Sequence, residues 1–230
     1  VIPAAGSGKR FQSAVPKQYL PLAGKPLIAQ TLLALLAYPS IEKIMVSIAA
    51  HDSYWPDVAA MLPADKLQTV VGGAERLLSV QQGLLALTDA RKDDWVLVHD
   101  AVRPCVQSQD IANLMHALED HAVGGLLGVR VSDTLKRTDD EGRVLVTIDR
   151  TNVWRAQTPQ VFRYGLLRQA LQTAVENDML VTDEAGAIEF IGEQPLMVAG
   201  SSDNIKVTYP EDFQRAEQFF SGSAGSLPAF

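Results

Sequence analysis

The stretch WVLVHDAVRP, Trp95 to Pro104, decides the architecture. Its first four residues are apolar, with no polar alternation. A run of this kind is a strand buried on both faces, as in a parallel sheet covered by helices. Charge follows at once, in His99, Asp100 and Arg103. Outward from this strand (95–99), apolar runs at 1–3, 43–49, 68–71, 125–131 and 196–199 predict further strands. Helical patterns occupy 26–37, 54–61, 75–87, 108–120, 164–176, 183–191 and 210–220. Pro26 and Pro210 stand where proline suits a first helical turn. Ser108 and Thr182 suit N-cap positions. The alternation predicts an α/β fold with a mostly parallel sheet and helices on both sides.

Two segments depart from this rhythm. Residues 133–149 read DTLKRTDDEGRVLVTID, two strand-like runs around a polar turn. They predict a β-hairpin, with Val144, Val146 and Ile148 alternating along its second strand. A lone hairpin is marginal in water, so it should pack on the parent sheet or on a second subunit. The expected layout is one domain over 1–220 with an arm at 133–150. The Gly/Ser-rich end at 221–230 is expected to be a flexible tail. The run Val1-Ile2-Pro3 is shorter than a usual buried strand, which predicts residues ahead of Val1.

Composition removes several classes. The 230 residues carry 27 acidic and 20 basic side chains, a net charge of −7. A nucleic-acid surface would need a dense basic face, so no nucleic-acid partner is expected. One cysteine, Cys105, allows no internal disulfide. No apolar stretch is long enough to span a bilayer, and no signal peptide opens the chain. A cytoplasmic protein with no membrane partner is the expectation.

Four motifs carry chemistry. In IPAAGSGKRF, Ile2 to Phe11, small residues follow a strand end, where backbone N–H groups can approach an anion. It matches neither a Walker A loop nor a dinucleotide fingerprint. In VPKQYLPLAGKPL, Val15 to Leu27, three prolines stiffen a loop bearing Lys17 and Lys25. With Lys9 and Arg10, the first 25 residues hold four cations and no acid. That pattern fits a polyphosphate site, or more plainly a solvated basic face. In VGGAERLLSV, Val71 to Val80, Gly72-Gly73 precede a helix carrying Arg76 and Ser79. In Trp95 to Pro104, Asp100 sits at a strand's carboxyl end, where open α/β sheets bind ligands. A carboxylate there suits Mg²⁺ with substrate phosphates. His99 reads better as a packed or capping residue.

Taken in order, PAAGSGKR, PKQYL, GGAERLLSV, VLVHDAVRP, DTLKR, TPQVF, TDEA and DNIKVT resemble the 2-C-methyl-D-erythritol 4-phosphate cytidylyltransferase family. The resemblance runs from Pro3 to Thr208. It implies a Rossmann-like three-layer nucleotidyltransferase fold with a β-hairpin dimerisation arm. It implies transfer of the cytidylyl group of CTP to 2-C-methyl-D-erythritol 4-phosphate, with Mg²⁺ or another divalent cation as cofactor. Arg10, Lys17 and Lys206 would be the catalytic cations. Pro3, Ala4, Ala5, Gly6, Gly8, Gly73, Ser79, Asp100 and Ala101 would bind CTP, and Asp100 would also hold the metal. Arg103 and Thr182, with the partner subunit's Thr134 and Arg150, would hold the alcohol phosphate in a homodimer.

One departure stands out. Ala74 follows Gly-Gly where many members carry an acid, which removes a polar contact to the nucleotide. Ribitol-5-phosphate cytidylyltransferases resemble this pattern too, but tend to show Gly-Gly where this chain has Ala4-Ala5. A non-catalytic nucleotide-binding module would be expected to lose the cations and Asp100.

Overall fold

The computed structural model describes residues 1–6 and 15–222. In chain order the strands are β1 (Ile2–Pro3), β2 (Pro21–Leu22), β3 (Lys25–Pro26), β4 (Ile44–Ile48), β5 (Leu67–Val71) and β6 (Trp95–Val98). They continue as β7 (Gly124–Arg130), β8 (Leu135–Thr138), β9 (Val144–Ile148), β10 (Trp154–Arg163) and β11 (Leu196–Ala199). The helices are α1 (Leu27–Leu36), α2 (Trp55–Ala59), α3 (Arg76–Leu85) and α4 (Ser108–Ala117). After them come α5 (Tyr164–Glu176), α6 (Glu184–Phe190) and α7 (Pro210–Phe220). A 3₁₀ turn covers Lys17–Tyr19.

One ladder runs β1-β4-β5 and another β11-β7-β10-β6. Val1 joins them: its nitrogen donates to Leu97 O at 2.7 Å, and its carbonyl accepts from His99 N at 3.1 Å. That is the parallel pattern, so β1 and β6 are neighbours. The sheet is mostly parallel, as expected, with β10 running antiparallel between β6 and β7.

Burial explains the apolar run in β6. Val96 and Val98 pack in a cluster with α3, α5 and α6, including Leu84, Leu167 and Ile188. Trp95 and Leu97 face the other way, against Leu114 and Leu118 at α4. Helices therefore cover both faces, the condition the sequence predicts.

Several details correct the sequence reading. The strand β10 is not predicted by it. Its Gln157, Thr158 and Gln160 are polar yet buried, and Pro159 interrupts the ladder where the register shifts between Ala156 and Gln160. Residues 21–26 form a small hairpin, with Ala23 at φ 48° and Gly24 at φ 79°. Two successive positive φ values are what a tight two-residue hairpin turn requires. Pro26 is the N-cap of α1, outside its first turn. Gln107 rather than Ser108 caps α4, and Asp183 rather than Thr182 caps α6. The Asp183 carboxylate wins because it accepts from Gly186 N at 3.0 Å. The expected flexibility of 221–230 falls mostly on residues outside those described.

The hairpin β8–β9 forms as expected, with Leu135 opposite Ile148. It pairs with no other described strand. Val144, Leu145 and Val146 stay 60%, 62% and 48% exposed. The hairpin therefore does not extend the parent sheet, and residues 144–146 are left uncovered by it.

Candidate active site

A cleft of about 210 Å³ opens at the carboxyl ends of β1, β5 and β6. A larger groove of about 620 Å³ lies at the opposite strand ends, among Ile44, Met45, Trp95 and Val96. Ligands of open α/β sheets bind at carboxyl ends, and the described residues predicted to bind CTP gather there too. The smaller cleft is the candidate.

Its first wall is Pro3–Gly6. Ala4 N donates to Ser47 O at 2.8 Å, which carries the β1 ladder to the edge of the cleft. The Gln18 amide donates to the carbonyls of Ala4 at 3.1 Å and Gly6 at 3.0 Å. Both carbonyls are thus turned toward Gln18. Lys17, beside it in the 3₁₀ turn, donates to Val207 O at 2.8 Å. The basic loop and the Ile205–Val207 segment are so brought together from opposite ends of the chain.

The second wall is Gly72 to Ser79. Ser79 is buried, with its hydroxyl 3.2 Å from Gly73 O and 3.1 Å from Glu75 O. A Cβ on Gly72 would lie 2.8 Å from both Ala5 Cβ and Ser79 Oγ. The glycine lets the two walls close on each other.

Asp100 forms the floor. Its Oδ1 accepts from Arg76 Nε at 3.1 Å. Its Oδ2 accepts from Arg103 Nε at 3.2 Å and pairs with Lys206 Nζ at 3.0 Å. Burial alone would raise this carboxyl, but Arg76, Lys206 and Arg103 hold it well below the usual carboxylate range. Arg103 is buried behind Asp100 and donates to Asn204 O at 2.7 Å. Lys206 is the most open of the three cations, with its side chain 42% exposed.

His99 fixes this floor from below. It is fully buried, with Nε2 3.1 Å from Arg103 O and Nδ1 3.0 Å from Thr158 Oγ1. A carbonyl only accepts, so Nε2 carries the hydrogen, and Thr158 donates to Nδ1 while accepting from Asp100 N at 3.0 Å. The packed-histidine reading holds. Burial lowers the His99 pKa to about 4, against about 6.5 in an unfolded chain. Protons therefore bind the unfolded chain first as pH falls. The neutral ring's contribution is complete above about pH 6.5 and declines by about 3 kcal/mol toward pH 4. In urea unfolding between pH 7.5 and 4.5, His99→Gln should show a shallower loss of stability than the parent. Equal slopes would refute the buried neutral ring.

The structure thus brings Pro3, Ala4, Ala5 and Gly6 together with Lys17, Gly73, Ser79, Asp100, Ala101 and Lys206. Arg103 lies against Asp100. Thr134, Arg150 and Thr182 are exposed and line no part of this cleft. Gly8 and Arg10 lie outside the described residues. Sequence reading gave no site role to Arg76, Glu184, Thr158, Gln18 or Asn204. TDEA suggested a helix cap and, through Thr182, a contact to the alcohol phosphate, but no role for Glu184, which is buried against Arg76.

Comparisons with known proteins point to one family. The family model described as 2-C-methyl-D-erythritol 4-phosphate cytidylyltransferase matches residues 1–221. A protein of that name from Dechloromonas aromatica (strain RCB) is 51% identical over 218 residues, 94% of each chain. One from Pseudomonas putida (strain W619) is 48% identical over 224 residues, 96% of this chain and 95% of that one. The crystal structure of the Francisella tularensis protein of the same name is 37% identical with a TM-score of 0.83. It covers 95% of this chain, and this chain covers 97% of it.

Proposed function

The chain belongs to the 2-C-methyl-D-erythritol 4-phosphate cytidylyltransferase family, and from that premise we propose how its cleft performs the transfer. The protein transfers the cytidylyl group of CTP to 2-C-methyl-D-erythritol 4-phosphate in isoprenoid biosynthesis. The products are 4-diphosphocytidyl-2-C-methyl-D-erythritol and pyrophosphate. The observation that carries the residue-level reading is the convergence of Lys17, Lys206 and Asp100 on one cleft.

An oxygen of the alcohol phosphate attacks the α-phosphorus of CTP. A new P–O bond forms, and the bond to the bridging oxygen of the departing pyrophosphate breaks. The nucleophile is already an anion, so no general base is needed. The barrier lies in bringing anions together and in stabilising charge on the transferring group. Lys17 and Lys206 supply positive charge, and Arg10 is assigned to the same task. Pro3–Gly6 and Gly8 receive the nucleotide, with Gly73 and Ser79 at the cytosine and Ala101 beside Asp100.

Asp100 is the residue assigned to Mg²⁺ or another divalent cation. The donor set fits: Mg²⁺ is commonly held by one or two carboxylates plus substrate phosphates. A carboxylate has about four acceptor positions, and protein donors engage three here. When bound, the cation would neutralise phosphate charge. Lys206, the most exposed donor on Asp100, moves to the α-phosphate as the nucleotide enters and opens one acceptor position on Oδ2, which keeps its bond from Arg103.

A homodimer is the proposed assembly. The uncovered apolar residues Val144, Leu145 and Val146 support the hairpin as the contact. Thr134 and Arg150 flank that arm, and the family resemblance assigns the partner subunit's Thr134 and Arg150 to the acceptor site together with Arg103 and Thr182. The cytoplasm is the proposed location, in keeping with a free, buried Cys105.

Pyrophosphate release measured with CTP or UTP, each with methylerythritol phosphate or ribitol phosphate, tests the reading. Turnover should be greatest with CTP and methylerythritol phosphate. A preference for ribitol phosphate would overturn the acceptor. In the same assay Arg150→Ala should raise the KM for the acceptor about tenfold or more, the scale of one charged hydrogen bond. Its KM for CTP should stay near that of the parent. An unchanged acceptor KM would remove Arg150 from the site.

A further inference from the structure

We infer that Glu184 is a positioning residue for the transfer: it grips Arg76 and, through Arg76, sets where the Asp100 carboxylate lies. The inference rests on the reading of Asp100 as the carboxylate of the nucleotide and metal site. Arg76 Nη1 donates to Glu184 Oε1 at 2.6 Å, and Nη2 to Oε2 at 3.0 Å. This two-point pair fixes the guanidinium plane. The remaining edge, Nε, points at Asp100 Oδ1 at 3.1 Å. Glu184 is 1% exposed, while the Arg76 side chain is 28% exposed at the cleft.

Glu184 is the immobile end of this chain of contacts. It opens α6, and the residues on both sides of it are bound to one side chain of the central sheet. Gln160 of β10 donates to Asp183 Oδ2 at 2.9 Å, and its Oε1 accepts from Ala185 N at 2.8 Å. Asp183 also caps the helix through Gly186 N. Arg76 begins α3 on the cleft wall, where its side chain is partly exposed. A free guanidinium there would bind the triphosphate in two-point fashion itself. Glu184 restrains it. The Arg76 charge is shared between Glu184 and Asp100, and Lys206, the more exposed partner of Asp100, is left to turn to the nucleotide.

The test uses Glu184→Gln, Arg76→Met, both together, and Asp100→Asn, each on the full chain. One readout is steady-state turnover. The other is Mn²⁺ binding followed by electron paramagnetic resonance with CTP and no acceptor. Glu184→Gln should lower kcat and Mn²⁺ affinity by about tenfold or more, the usual scale for residues that orient a metal ligand. The acceptor KM should be nearly unchanged. The double variant should be no worse than Arg76→Met alone, because Glu184 acts through Arg76.

Full Mn²⁺ affinity and turnover in Glu184→Gln, with loss in Asp100→Asn, would overturn the positioning role alone. Losses that multiply in the double variant would do the same. Unaltered Mn²⁺ binding in Asp100→Asn would overturn the reading of Asp100, and the inference with it. If Glu184→Gln does not fold, Glu184→Asp, which keeps the charge on a shorter stem, should show a smaller loss of both quantities. No loss in that variant would also overturn the inference.

Discussion

An enzyme carrying Lys17→Ala is expected to fold normally and to turn over about 10²–10³ times more slowly. Lys17 brings a positive charge from the basic loop to the segment bearing Lys206, through its bond to Val207 O. Transfer concentrates negative charge on the α-phosphoryl group between two anionic reactants, and a cation in a partly dry cleft offsets it far more than one in water would. The fold should survive because neighbours hold the turn. Tyr19 donates to Asp52 at 2.6 Å and stacks on Tyr54 with ring centroids 5.2 Å apart. Gln18 is bonded to Ala4 and Gly6. Pyrophosphate release together with circular dichroism checks both halves. Lys17→Arg keeps the charge and should recover part of the rate. Near-parental turnover in Lys17→Ala would end its catalytic assignment.

Asp100→Asn should damage stability and catalysis together. The carboxylate is the common partner of Arg76, Arg103 and Lys206. Arg76 has Glu184 as a second acid, and Lys206 can turn to solvent. Arg103, with its side chain only 10% exposed, has no second carboxylate in these pairs. A buried cation left without its acid typically costs about 3–5 kcal/mol. The same substitution removes the anionic ligand assigned to the divalent cation, so a further loss of about 10²–10³ in kcat is expected. Urea unfolding at pH 7.5 reads the first effect. Turnover across a Mg²⁺ titration, at a temperature where the variant is folded, reads the second. A variant as stable and as active as the parent would show that Asp100 holds neither the cations nor the nucleotide site.

Much of the architecture was legible because it follows from local pattern. An unbroken apolar run such as Trp95–Val98 has no solvent face, so a doubly covered strand was the only comfortable reading. The hairpin was legible from alternation around a polar turn. The cleft was legible where chemistry clusters in sequence, as with Lys17 in its loop and Asp100 at a strand end. The strand β10 escaped because Gln157, Thr158 and Gln160 break its buried run with polar residues, leaving only Val161 and Phe162 as a short apolar pair. Thr158 belongs to His99 and Asp100, Gln160 to the start of α6, and Gln157 to Ser201 O. Most of those polar groups meet partners that no apolar pattern reveals, although Gln157 Oε1 meets no donor among the described residues.

The sequence by itself determined the alternation of strands and helices, the end of the sheet at which charge collects, and the family. Tertiary structure decided which charges meet. Arg76 and Glu184 are 108 residues apart, and Lys17 and Val207 are 190 apart. Their contacts depend on strand order and on the register of β10, neither of which leaves a period in the sequence. Local propensity acts over a few residues, whereas a buried ion pair forms only when two distant helix starts face one pocket too dry for either charge alone.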